Sequence, residues 1–247
     1  MKNEMHRKLR NYSSKNKQSI SNKIRNSIDY NSPVIINYIL ICFLLYAINI
    51  LTKGYINSIC YLPGNLIVNI FAVHRLLTYT FVHGSFEHLI SNMALLALTG
   101  PSVEKKYGGG IVIGLILINS IMIGSMQGVL IHQSVLGASS IVFMFLMLSV
   151  FADTETEKIP FTMFIVATCY IGNEVLSALV PDAVSQLSHI MGAVIGLLFG
   201  ILYRKVKDAE KEKQEISKEI EDNKKVIKKH FSNYISTLKS TIDRDTK

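Results

Sequence analysis

A chain of 247 residues that is 49% hydrophobic yet has a mean hydropathy of only +0.31 is the size of one membrane domain whose polar tails dilute a strongly apolar middle. The formal charge of +8 does not mark a nucleic-acid binder: eight Lys and Arg precede residue 33 and thirteen lie from Arg204 onward. Only Lys53, Arg75, Lys105, Lys106 and Lys158 fall between, and basic tails beside apolar spans act as cytoplasmic retention signals. Cys42 and Cys169 sit inside apolar runs and Cys60 in a loop, which makes neither a disulfide framework nor a zinc site.

Residues 1–32 are polar, basic and without apolar periodicity, and read as a flexible cytosolic tail. The apolar run Val34–Leu51 follows Pro33 and is long enough for a first span. No small-residue cleavage site follows it, so it is expected to stay as an anchor. Residues 53–82 form a mixed loop in which Pro63-Gly64-Asn65 turns the chain between two short apolar pieces, Ile56–Leu62 and Leu66–Val73, expected in the interface. Span two starts near Ser85, an N-cap with Glu87 in its first turn, and runs to Gly100-Pro101. Being short, it is expected to continue through Val103–Tyr107 into the headgroups. Spans three to six are Ile111–Ile131, Val135–Ala152, Ile159–Val180 and Val184–Tyr203. Asp153, Glu155, Glu157 and Lys158 make the four–five connection polar, and Pro181-Asp182 marks a tight five–six turn. In 205–247, Ile216, Ile220, Ile227, Phe231, Tyr234, Leu238 and Ile242 recur at steps of three, four or seven, which predicts a helix with one apolar stripe. That helix reads as solvated or as a weak self-association element, with a specific partner or the membrane surface as the alternative.

With the N-terminus inside, the cytoplasmic parts hold 24 of the 26 Lys and Arg, leaving Lys53 and Arg75 outside. Both termini are then cytoplasmic, and spans two, four and six begin at the outer face. His88, Ser139 and His189 each fall about three to six residues into their span, a common depth of roughly 5–10 Å.

An ionisable residue inside a span is costly and faces the bundle interior or a water-filled cavity, which singles out His189. Its structural alternative is a histidine satisfied by a backbone carbonyl between helices. Gly192, Gly196 and Gly200 follow at spacing four, a face that lets a neighbouring helix approach closely. Ser139, in Gly137-Ala138-Ser139-Ser140, would by itself be an interhelical hydrogen-bonder. As a nucleophile it needs a base, and His189 is the only histidine in spans three to six. A strand-borne nucleophile elbow is excluded, since Ile141 stands where that motif needs Gly. His88 and Asn92, four apart, share one helix face and with the Ser139 N–H could surround a developing oxyanion. Their structural alternatives are an interhelical hydrogen bond for Asn92 and a water-facing helix mouth for His88. His74, His83 and His88 lie close in sequence, but without H-E-x-x-H they carry no metal reading. Glu174, near the outer end of span five, reads as a snorkelling or packing residue.

These residues resemble the rhomboid family of intramembrane serine proteases over about residues 33–203. The resemblance is carried by His83-Gly84-Ser85-Phe86-Glu87-His88-Leu89-Ile90-Ser91-Asn92, by Gly100-Pro101, and by Glu104-Lys105-Lys106-Tyr107-Gly108. Gly137-Ala138-Ser139 looks like the nucleophile motif and His189-Ile190-Met191-Gly192 like the base motif. The resemblance implies an all-α, six-span bundle in the plasma membrane with its active site toward the extracytoplasmic side. It also implies a Ser139–His189 dyad without a carboxylate third member, an oxyanion hole from His88, Asn92 and the Ser139 amide, and no metal or organic cofactor. Phe143 matches a position where the family sets an aromatic ring against the histidine, and Gly196 matches a close helix contact. Two positions depart from the pattern. Ser140 replaces the usual Gly, where its hydroxymethyl would crowd the substrate path or stiffen the turn. His74-Arg75 replaces Trp-Arg, which keeps Arg75 as a loop anchor with another packing partner. The domains expected are a tail (1–32), a six-span core (33–204) and a charged helix (205–247). The implied substrates are single-span or other membrane proteins in a lipid bilayer, with no nucleic acid. A family-like protein that binds such clients without cutting is the alternative.

Overall fold

The structure, a computed structural model, describes residues 32–65, 73–152, 161–177 and 184–245. In chain order these form α1 (Pro33–Leu51), α2 (Tyr55–Cys60), α3 (Arg75–Thr78) with a 3-10 turn over Tyr79–Phe81, and α4 (Phe86–Tyr107). Then come α5 (Gly109–Ser125) with a π-helical turn over Met126–Ile131, α6 (Ser139–Val150), α7 (Phe161–Ser177) and α8 (Val184–Asp245). Strand-like pairing among the described residues is confined to one antiparallel bridge, Leu62 with Val135. The N-terminal tail, most of Leu66–Val73, the Asp153–Lys158 connection, the Pro181-Asp182 turn and the Glu174 side chain lie outside what is described.

The chain divides into two compact units, Met1–Gly196 and Leu197–Lys247. At the centre of the first is α6, ten of whose twelve residues are buried. A helix that is apolar all round has no side to give to water, so its neighbours cover it. α1, by contrast, buries only Ile35, Tyr38 and Cys42 and turns Leu40, Leu44 and Leu51 outward. Its N-terminus is held by a buried carboxylate: Glu104, near the end of α4, accepts from the Val34 and Ile35 N–H groups, both at 3.0 Å. Those are two of the donors every helix start leaves unpaired. Gly100 lets the two helices close on each other, since a Cβ there would lie 2.6 Å from Ile35 Cγ2.

Among the described residues, three helical stretches are long and apolar enough to cross a bilayer, Pro33–Leu51, Gly109–Ile131 and Gln186–Ser232; Ser139–Val150 and Phe161–Gly172 are apolar but shorter. α4 runs through Pro101 to Tyr107, the continuation the sequence predicts. One boundary differs from expectation. Span four was expected to be helical from Val135, but α6 starts at Ser139, because the preceding residues spend their backbone groups elsewhere. Leu62 and Val135 exchange two N–H···O bonds at 3.0 Å, and the Gly137 N–H donates to the Tyr79 carbonyl at 2.8 Å. Span six and the helix expected over 205–247 run on as one helix, α8, to Asp245. From residue 201 to 245 there is no Gly or Pro to stop it. In the second unit, exposed pairs such as Lys207–Glu210 (2.8 Å) and Lys225–Asp222 (3.2 Å) add helix support, and Ile216, Ile220, Ile227 and Phe231 remain exposed.

Candidate functional site

Ser139 is the first residue of α6, not a residue well inside it. The turn that delivers it depends on Gly137, whose φ of +114° lies in the region L side chains avoid. Glycine is needed there for a second reason: a Cβ would sit 2.6 Å from His88 Cε1 and 2.9 Å from Nε2. The imidazole of His88 therefore packs against Gly137, on the approach to Ser139. His83 supports the same turn from behind. It is fully buried, accepts the Ala138 N–H on Nε2 (3.4 Å), and meets the His88 ring edge-on with centroids 5.1 Å apart. The Asn57 amide donates to the His83 carbonyl at 3.0 Å.

His88 reaches this place because Ser85 caps α4, its hydroxyl accepting the His88 N–H at 3.2 Å. One turn further on, Asn92 is buried, and its Nδ2 has no hydrogen-bond partner among the described residues. A buried amide donor left unpaired is costly, and such groups recur where a ligand or a reaction uses them.

α8 brings the second set of groups. A Cβ on Gly192 would lie 2.1 Å from the Ser140 carbonyl oxygen, and one on Gly196 would lie 2.3 Å from that of Met144. Both contacts keep the same offset, so α6 and this part of α8 run parallel with their backbones nearly touching. In that register His189 falls level with Gly137, two residues or roughly 3 Å of helix rise from Ser139. Phe143, one turn after Ser139, stacks on His189 with ring centroids 4.8 Å apart and planes within 7°, and meets Tyr170 of α7 edge-on at 6.4 Å. His88 and His189 are within electrostatic reach of each other. Ser139, His88 and His189 are all half-buried.

The structure thus gathers His83, His88, Gly137, Ser139, Phe143, His189 and Gly192 around one helix start. It sets Gly196 one turn deeper, against Met144, and Arg75 apart. Arg75 grips the loop, donating to the Tyr61 carbonyl (3.3 Å) with its guanidinium over the Tyr61 ring (5.3 Å). His74 interacts with the Ile59 carbonyl at 3.3 Å, away from the other two histidines. Ser140 is buried and points toward α5, where its hydroxyl donates to Asn119 Oδ1 at 2.8 Å. Sequence reasoning missed Asn119, Tyr79 and Asn57. Asn119 had a usable signal, an amide in the middle of the apolar run Ile111–Ile131. Tyr79 and Asn57 act through a backbone carbonyl and a loop contact that spacing does not encode.

Chemically, this is a hydroxyl at a helix N-terminus, where the first backbone N–H groups have no intrahelical acceptor, beside an imidazole and a second imidazole–amide pair. Residues 71–206, more than half of the chain, match the family model described as the Rhomboid domain. No curated protein matches the chain.

Proposed function

The chain belongs to the rhomboid family, and on that premise we propose that it is an intramembrane serine endopeptidase cutting membrane-protein segments with a Ser139–His189 dyad. In this reading the molecule is a six-span bundle in the plasma membrane with cytoplasmic termini, and it cuts near the outer face. The distribution of Lys and Arg supports the orientation, since 24 of 26 fall in the parts assigned to the cytoplasm. The non-helical approach to Ser139 supports a site below the membrane surface. Irregular backbone is tolerated at depth only when protein satisfies it, and here Tyr79, His83 and Leu62 do so.

The observation that carries the reading is the parallel contact of α6 and α8, with Phe143 stacked on His189 one turn from Ser139. His189 takes the Ser139 proton as Oγ attacks the substrate carbonyl carbon. The carbonyl oxygen gains the negative charge and accepts hydrogen bonds from His88, Asn92 and the Ser139 N–H. The C–N bond then breaks, and His189 returns its proton to the leaving amine. Water attacks the acyl-enzyme with His189 again as base, releasing the acid and regenerating Ser139. A substrate helix must unwind first, because a helical carbonyl is already hydrogen-bonded; Gly or Pro near the scissile bond helps.

The test is cleavage of a single-span reporter in membranes by the unaltered chain, Ser139→Ala and His189→Ala. Product from the unaltered chain alone is expected. Equal product from all three overturns this active site. No product from any, with the reporter still co-purifying, replaces the protease with a client-binding rhomboid-like protein.

A further inference from the structure

The residue after the nucleophile departs from the family pattern, and its surroundings give it a task. Ser140 is 2% exposed and its hydroxyl donates to Asn119 Oδ1 of α5, itself fully buried. The Tyr79 hydroxyl interacts with the Ser140 side chain as well and donates to the Ser120 carbonyl at 3.2 Å. On the opposite side, the Ser140 carbonyl is the atom against which Gly192 closes. Ser140 is therefore the point at which the first turn of α6 is held from two directions: by its side chain to α5 and by its backbone to α8. The hydroxymethyl group faces α5.

A helix start is the part most free to rotate or fray, because its first backbone donors lack intrahelical partners. Residues in a helix are 100° apart around its axis, so a small rotation of this turn swings Ser139 Oγ sideways. Placement errors near 1 Å can lower a rate on the order of a hundredfold. An asparagine in the middle of an apolar helix is unfavourable unless it is used, and here one side of its amide is used by Ser140. Asn119 Nδ2 has no partner among the described residues, so the bond to Ser140 is what the amide gains from its position.

We propose that Ser140 and Asn119 are a positioning pair that sets the rotation of the first turn of α6 and thereby aims the Ser139 hydroxyl. The proposal rests on the protease reading. It gives the departure at residue 140 a physical role: this chain sets by an interhelical hydrogen bond what a glycine would leave to close packing alone.

The experiment measures kcat and KM for reporter cleavage in proteoliposomes, together with the labelling rate of Ser139 by a serine-reactive fluorophosphonate and the melting midpoint. The variants are Ser140→Ala, Ser140→Gly, Asn119→Leu, the Ser140→Ala/Asn119→Leu double, and Ser140→Thr, which retains the hydroxyl. Expected are a fall in kcat and labelling rate on the order of tenfold in each of the Ala, Gly and Leu variants, with KM within about twofold. The double variant should lose no more than either single, since the two act as one unit, and Ser140→Thr should keep most of the rate. Additive losses, a raised KM at constant kcat, or unchanged kcat in Ser140→Ala and Asn119→Leu overturn the pair. So does a loss of rate that tracks the melting midpoint across all five variants, which makes the contact one of stability. Absence of Ser139-dependent cleavage and labelling in the unaltered chain is a different failure, and sinks the protease reading beneath it.

Discussion

Asn92 and His83 are both buried polar side chains, and they predict different things. Asn92 holds an Nδ2 donor with no hydrogen-bond partner among the described residues, and the proposed oxyanion role would give it an acceptor in the transition state. Asn92→Ala is expected to lower kcat by about 10²–10³ with little change in KM, read from reporter cleavage in proteoliposomes. His83 is already engaged, and Nε2 must stay unprotonated to accept the Ala138 N–H. Burial, and then the charge of His88, push His83 from its usual 6.5 down to about 4, against an opposing backbone contact with Phe81. Its contribution to stability is therefore complete above pH 6.5 and is lost as the pH falls toward 4, because the unfolded chain takes up the proton first. The amount at stake is about 3 kcal/mol. Thermal unfolding in detergent should show the melting midpoint dropping across that window, with a shallower drop in His83→Gln.

Between elements, the decisive contact is that of α6 with α8. Gly192 and Gly196 face backbone carbonyls at distances no Cβ can tolerate, and a carbonyl cannot swing aside as a side chain can. Gly192→Ala is expected to destabilise by about 1–3 kcal/mol through overpacking and to move His189 away from Ser139. Melting midpoints and reporter cleavage should fall together. Gly114, in α5, is the internal control. A Cβ there meets nothing within 4 Å, so Gly114→Ala should stabilise by about 0.5–1 kcal/mol and leave cleavage intact. The sequence displays all these glycines alike, as small residues in apolar runs, and spacing four is common in packed spans. Which glycine touches a backbone depends on the partner helix.

At the scale of the whole molecule, Glu104 ties the end of α4 to the start of α1, residues seventy positions apart. A charged residue near a run of Lys reads in sequence as a solvated helix end, and only the fold reveals it as a buried cap. Glu104→Ala leaves the Val34 and Ile35 N–H groups without acceptors and is expected to lower stability by about 1.5–3 kcal/mol, measured by denaturation in detergent. Orientation is testable at this scale too. Reporters fused to either end of the chain should report the cytoplasm, because 21 of the 26 Lys and Arg lie before residue 33 or from Arg204 onward.

The helical faces and the apolar segments were legible from sequence, because period, charge and motif spacing are local properties of the chain. Ser85 as a cap, the His88–Asn92 face and the run of α4 through Pro101 belong to this class. The tertiary structure decided what depends on distant partners. It started α6 at Ser139 rather than Val135, because Leu62 and Tyr79 take the backbone bonds of the preceding residues. It turned Ser140 toward Asn119 and gave Glu104 to α1. A buried polar group is settled by whichever partner satisfies it, and that partner is set by the packing of helices far apart in sequence.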